Sequence, residues 1–539
     1  MKRNVCVFLL VLFALSALFA AGQGGSTGAG GGQPASTTPV GSYPIKTDVA
    51  LDYWLSLNTN VSPNYSNLGE TPFAKGLQER TGVKINYLHP PTGSTAAQEQ
   101  LNLMIAAGED LPDVIEWNWV TTYPGGPQKA IDDGVILNLN DVINKYAPNL
   151  KAFLQANPNY DRMVKTDDGN YYVFPFIRGH DKLLYSQGLE IRKDWLDELN
   201  LAPPTTIDEW YTVLKAFKEK KNCSAPFTQV WSNNQRMFVE SFGVLKGFYI
   251  GANDGQIHFG QIDPGYRDWM STMAQWYKEG LIDPDIASIQ TSQQNQKMTA
   301  GTAGATVASV GSGMGTWTNS VRPTNPKYEL MALASPDRAK GQKRVYGLPN
   351  QPYSGQDSAA ITANSKNVEL AARYLDWGYS QEGHLYYNFG IEGESYTMVN
   401  GKPIYTPQIM NNSKGWPLSQ SMSAYVRSTG AGPFIQNEGY IEQYYALPEQ
   451  RQALINYNTP GAINYLMPPI TPSQTESREL ATIMNDINTY VDEMMVKFIL
   501  GNEVLNDSSW NTYVSTIKRM GIDRALEIEK AALDRYRKR

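Results

Sequence analysis

The chain has 539 residues, of which 41% are hydrophobic, 11% aromatic and 18% charged, with a formal net charge of −6. One hydrophobic core organises about 250–300 residues at most, so more than one globular unit is expected. The acidic balance and the lack of a basic stripe argue against nucleic acid as a partner, while low charge with 12 Trp and 32 Tyr suits neutral polar ligands as well as it suits large cores.

The N-terminus reads as an export signal. Lys2 and Arg3 precede an apolar run over 5–20, which has h-region length and is too short for a spanning helix. Cleavage is expected near Ala20 or Ala21, giving a signal peptide at 1–21 and a periplasmic or extracellular protein. No Cys follows the apolar run and Cys6 lies too early, so a soluble product without a lipid anchor is expected. Removal of Cys6 would leave Cys223 alone, with no intramolecular disulfide. Residues 22–44, rich in Gly, Ser, Thr and Pro, read as a flexible tether.

From residue 45 the pattern is of a folded body. Residues 49–55, 83–88 and 113–117 read as strands, separated by helices over 71–81 and 96–107 that stop at Gly82 and Gly108. This β-α-β-α-β order predicts a parallel, doubly wound α/β sheet. Ligands of such sheets bind beyond the carboxyl ends of the strands, which points to Trp54, Trp117 and Trp119. A second segment begins near 171–175. Thr206 to Glu209 is a capping box opening a helix, and Tyr266, Trp269, Met270, Met273 and Trp276 form a helical stripe that reads as core. Residues 305–310 read as a strand within a Gly-rich stretch, 366–378 as a helix, and the last hundred residues as mainly helical, with a stripe from Ile483 to Phe498 and a final helix over 523–537.

Motifs for chemistry are sparse. The four histidines, His89, His180, His258 and His384, share no metal-ligand spacing, and neither a Walker A sequence nor a Gly-x-Ser-x-Gly elbow is present. Asp167-Asp168-Gly169-Asn170 lacks the ligand set of a calcium loop and reads as a turn. No cofactor or metal is expected. A glycosidase would need two carboxylates facing one bond. Sequence gives no positive sign of such a pair, though any two could meet in the fold. The better lead is aromatic. Trp54, Trp117, Trp119, Trp231, Trp317 and Tyr353, with Arg178, sit in loops or at strand ends, where flat rings and a few fixed polar groups can hold a sugar. Packing explains each of them equally well when taken alone.

Several stretches together resemble the family-1 extracellular solute-binding proteins of bacterial ABC transporters, in the long subgroup linked to oligosaccharide uptake. They include 106–114 (Ala-Ala-Gly-Glu-Asp-Leu-Pro-Asp-Val), 139–150, 191–197 with 204–210, 276–284 (Trp-Tyr-Lys-Glu-Gly-Leu-Ile-Asp-Pro) and 390–396. The resemblance implies a two-lobed, type II periplasmic-binding-protein fold, each lobe a mostly parallel sheet flanked by helices, with the ligand cleft between lobes. One lobe would hold 45–175 and 325–390, the other 176–324 and 391–539. Hinges would pass near 174–185, 317–328 and 390–396. It further implies a non-catalytic monomer that takes a carbohydrate, closes around it, and delivers it to an ABC permease. An exported glycoside hydrolase or lyase, or a binder of peptides or other small solutes, is the alternative.

Overall fold

The computed structural model describes residues 36–539 except Glu109, Asp110 and Gln356. The signal peptide expected at 1–21 and the first part of the tether lie outside the described residues. Eight strands build two four-stranded sheets: β1 (Ala50–Trp54), β2 (Lys84–Leu88), β3 (Val114–Trp117), β4 (Gln187–Arg192), β5 (Ala225–Thr228), β6 (Ala303–Ser309), β7 (Leu330–Leu333) and β8 (Ser358–Ile361). The strand order is β8-β3-β1-β2 in the first sheet and β7-β4-β6-β5 in the second. In the first sheet β1 runs parallel to β2 and β3, with Trp54 opposite both Leu88 and Ile115, and β8 returns antiparallel along β3.

The second sheet is more antiparallel than the resemblance implies. Only β5 and β6 are parallel there, and β4 runs antiparallel to both β6 and β7. The cause is the point of entry. The chain reaches this lobe from the crossing segment, so Gln187 at the start of β4 lies opposite Ser309 at the end of β6. A strand that starts where its neighbour finishes must run the other way.

Local signals explain the helices. Thr71 caps Pro72–Thr81 by accepting from the Ala74 N–H at 3.1 Å, and Gly82 ends that helix in the left-handed conformation. Thr206 and Glu209 cap each other at the start of Ile207–Lys220. Helix Pro264–Lys278 buries Tyr266, Trp269, Met270, Met273 and Trp276, the stripe expected to be core. The segment near 171–175 forms only single bridges, Lys165 to Tyr171 and Phe174 to Ala359, and acts as a connector.

Three apolar clusters result. One joins residues of 45–176 with those of 353–387, and Ala431 and Phe434 pack into it. The second unites β4–β6 with helices Gln474–Leu500 and Asp507–Arg519. The third lies on the other face of the second sheet, around 298–332 and 389–457. Because β7 pairs with β4, the chain rejoins the first lobe at β8, later than the expected return at 325. The end of the expected tether is docked as well. The Arg373 guanidinium, 1% exposed, donates to the carbonyls of Thr38 at 2.8 Å and Pro39 at 3.0 Å, and the Tyr43 hydroxyl donates to the Arg373 carbonyl. A buried cation that needs acceptors fixes this stretch in place. No helix among the described residues is long and apolar enough to cross a membrane.

Candidate functional site

Where the lobes meet, a cavity of about 230 Å³ opens between the first crossing segment, the end of β6 and residues 428–445. Its floor is a short parallel pair, Ile177–Arg178 beside Ile435–Gln436. The Gln436 side chain donates to the Ser428 carbonyl at 2.7 Å and to the Tyr440 hydroxyl at 3.1 Å, tying the loop at 428–430 to the helix Glu438–Tyr444. That helix presents Tyr440 and Tyr444 one turn apart, with ring centroids 6.4 Å apart and planes inclined by 20°. Tyr445 follows, and Tyr185 enters from the crossing segment with its hydroxyl donating to the Thr459 carbonyl at 3.1 Å.

The opposite wall is backbone and small hydroxyls. β6 runs into one turn of π-helix, Val310–Gly315, which brings Ser309, Gly311 and Ser312 to the cavity. A Cβ on Gly311 would stand 2.7 Å from the Tyr444 ring, so the absence of a side chain lets this tyrosine lie against the turn. Gly311 and Ser312 are therefore part of the cavity wall. The combination of flat rings, hydroxyls and one amide can hold a polyhydroxylated guest by stacking and hydrogen bonding.

The residues singled out from sequence separate into three groups. Arg178 lines the cavity; its Nη1 donates to the Gln351 carbonyl at 3.1 Å and its guanidinium lies over the Phe176 ring. Trp117 and Trp231 are half-buried at the ends of β3 and β5. Trp117 donates to Gln98 at 3.2 Å and packs edge-on against Trp54 at 5.3 Å, while Trp231 opens the short helix that carries Arg236 into an adjoining cavity. Trp54, Trp119, Trp317 and Tyr353 are buried in the cores. Trp317 donates to Asn295 at 3.0 Å and the Tyr353 hydroxyl meets that of Tyr172 at 2.8 Å. Sequence reasoning passed over Tyr185, Tyr440, Tyr444, Tyr445 and Gln436. The adjacent pair Tyr444-Tyr445 was the available signal.

The lobe junction also holds a buried ion pair. Arg427 Nη2 donates to Glu116 on β3 at 2.6 Å and also to the Ala431 carbonyl, and the Tyr53 hydroxyl donates to the same carboxylate at 2.8 Å. Burial pushes Glu116 up to about 7, against the pull of Arg427. Cys223 is buried, its thiol donates to the Thr302 carbonyl, and burial raises it to about 12, which makes it inert. Among the described residues no cluster of three or more His, Cys, Asp or Glu is arranged to hold a metal. Asp167, in the turn weighed against a calcium loop, is taken by Arg535 and Arg539.

Comparison with known proteins matches this architecture. The family model described as bacterial extracellular solute-binding protein fits residues 65–384. The fructooligosaccharide ABC transporter substrate-binding protein FusA of Streptococcus pneumoniae is 25% identical over 520 residues, covering 92% of each chain. The polygalacturonan/rhamnogalacturonan-binding protein YtcQ of Bacillus subtilis is 23% identical over 375 residues, covering 66% of this chain and 71% of its own. The crystal structure of alginate-binding protein AlgQ2 superposes with a TM-score of 0.74 at 29% identity, covering 90% of this chain and 99% of its own. With more than half of its length matched by the family model, the chain belongs to the bacterial extracellular solute-binding proteins.

Proposed function

We propose that the protein captures an oligosaccharide in the cavity between its lobes and passes it to an ABC permease, without chemical change to the sugar. The observation that carries this reading is the cavity wall, in which Tyr440, Tyr444 and Tyr445 stand against the hydroxyls of Ser309 and Ser312. FusA, YtcQ and AlgQ2 are named for carbohydrate oligomers, and FusA for an ABC transporter, which supports the same ligand class and partner here. In this reading the lobes close over the sugar, and contacts made only in the closed arrangement favour it over an open one. Arg178 is the residue named from sequence that this reading keeps at the ligand, while Trp117 and Trp231 lie outside the cavity lining. Trp54, Trp119, Trp317 and Tyr353 hold the lobes' cores behind them.

The test is a thermal-shift and calorimetric panel of neutral oligosaccharides, uronic-acid oligomers, monosaccharides and peptides. A ligand that binds only the folded state raises Tm. An oligosaccharide is expected to do so and to be recovered intact after incubation. Stabilisation by peptides alone would refute carbohydrate capture, and cleavage of the sugar at enzyme-like rates would refute simple binding.

A further inference from the structure

The charge of the central cavity is one-sided. Its charged lining residues are Arg178 and Lys182, and no aspartate or glutamate is among them. Lys182 sits at the rim in an ion pair with Glu442, and both side chains are nearly half exposed, which makes the pair weak and easily exchanged. Arg178 is different. Its main-chain N–H donates to the Pro352 carbonyl, and its guanidinium, with five N–H donors, makes one hydrogen bond among the described residues, from Nη1 to the Gln351 carbonyl. It forms no ion pair among them. Burial lowers its pKa, and the negative influence of the Tyr440 hydroxyl and, more weakly, of Asp357 does not offset that loss of hydration.

Arg427, at the lobe junction, shows what a satisfied guanidinium looks like: Glu116 and the Ala431 carbonyl occupy it. Arg178 has the cation without the carboxylate, and it faces the space where a guest would sit. A planar guanidinium with free donors is matched by a planar carboxylate, which accepts two parallel hydrogen bonds. A neutral sugar would leave this charge desolvated and unpaired, at a cost.

We propose that the captured oligosaccharide is acidic, built from uronic-acid units, and that Arg178 receives one of its carboxylates. This rests on the carbohydrate reading given above. The test uses the full folded chain and trisaccharides of galacturonate, mannuronate, guluronate and glucuronate, each beside its methyl ester, with maltotriose and a fructose trisaccharide as neutral guests. At least one uronate is expected to bind ten-fold or more tighter than its ester and than either neutral sugar. That preference should shrink several-fold between 20 and 500 mM salt, survive in part in Arg178→Lys and vanish in Arg178→Gln. The salt series needs no variant, so a misfolded substitution does not block the result. Equal binding of acid and ester, or tighter binding of a neutral sugar, would overturn the acidic ligand while leaving carbohydrate capture intact. Failure of every sugar would overturn both.

Discussion

The C-terminal helix is fastened to the first lobe through one carboxylate, and the two sides of that fastening should respond unequally to mutation. Asp167, in the turn that precedes Tyr171, accepts from Arg535 Nε at 2.6 Å and from Arg539 Nε at 3.0 Å. Arg539 also donates to the carbonyls of Arg162 and Lys165 and to the Thr471 hydroxyl, and its side chain is only 2% exposed. Arg535 is 35% exposed and has a second carboxylate, Glu476. Asp167→Ala therefore strands a buried guanidinium whose remaining partners are neutral. Removing one partner of a buried pair costs about 3–5 kcal/mol, and the neutral acceptors left to Arg539 place this case near the lower figure, about 3 kcal/mol. Arg539→Met leaves Asp167 paired with Arg535 and loses hydrogen bonds mainly to neutral acceptors, for about 1–2 kcal/mol. Urea unfolding followed by tryptophan fluorescence, with the double variant closing a thermodynamic cycle, measures both and their coupling. The reasoning fails if Arg539→Met costs as much as Asp167→Ala, because stranded charge would then not be the dominant loss.

Burial pushes Glu529 up to about 7, so the folded chain holds its proton through a range where the unfolded chain has released it. This contribution to stability is complete below the ordinary carboxyl value, near 4.5, and is lost as pH rises through about 7. His89 and His384, lowered by burial, act with the opposite sign, and Glu116, Glu190 and Asp376, raised by burial, with the same sign, so the comparison is with Glu529→Gln. The variant should gain on the natural protein by about 1–3 kcal/mol between pH 5 and pH 8 in urea midpoints, and an unchanged difference refutes the assignment. In the cavity, Gly311→Ala places a methyl group 2.7 Å from the Tyr444 ring, which must swing aside. Sugar affinity measured by calorimetry should fall about ten-fold, roughly 1.4 kcal/mol, with Tm changed by only a few degrees. Unaltered affinity would show that Tyr444 is not a ligand platform.

How much of this could be read in the chain depends on what each segment faces. Strands β1, β2 and β3 lie within a residue or two of their expected positions because helices with glycine stops, the first also capped by Thr71, separate them. β5 and β8, Ala-Pro-Phe-Thr and Ser-Ala-Ala-Ile, are buried on every residue, and a strand covered on both faces has no alternation to detect. The site was partly hidden for a related reason. Tryptophans after strands drew attention, yet Trp54 and Trp119 are almost fully buried, since a large ring near a strand end fills core before it reaches a cleft. Two of the tyrosines that line the cavity, Tyr440 and Tyr444, ride on a helix of seven residues, Glu438–Tyr444, too short to show a stripe, and they meet the end of β6 only in the folded chain. Arg178 could be named beforehand, but its significance could not. That depends on which acceptors the fold withholds from it, and one hydrogen bond to the Gln351 carbonyl, 173 residues away in sequence, is a property of the folded chain alone.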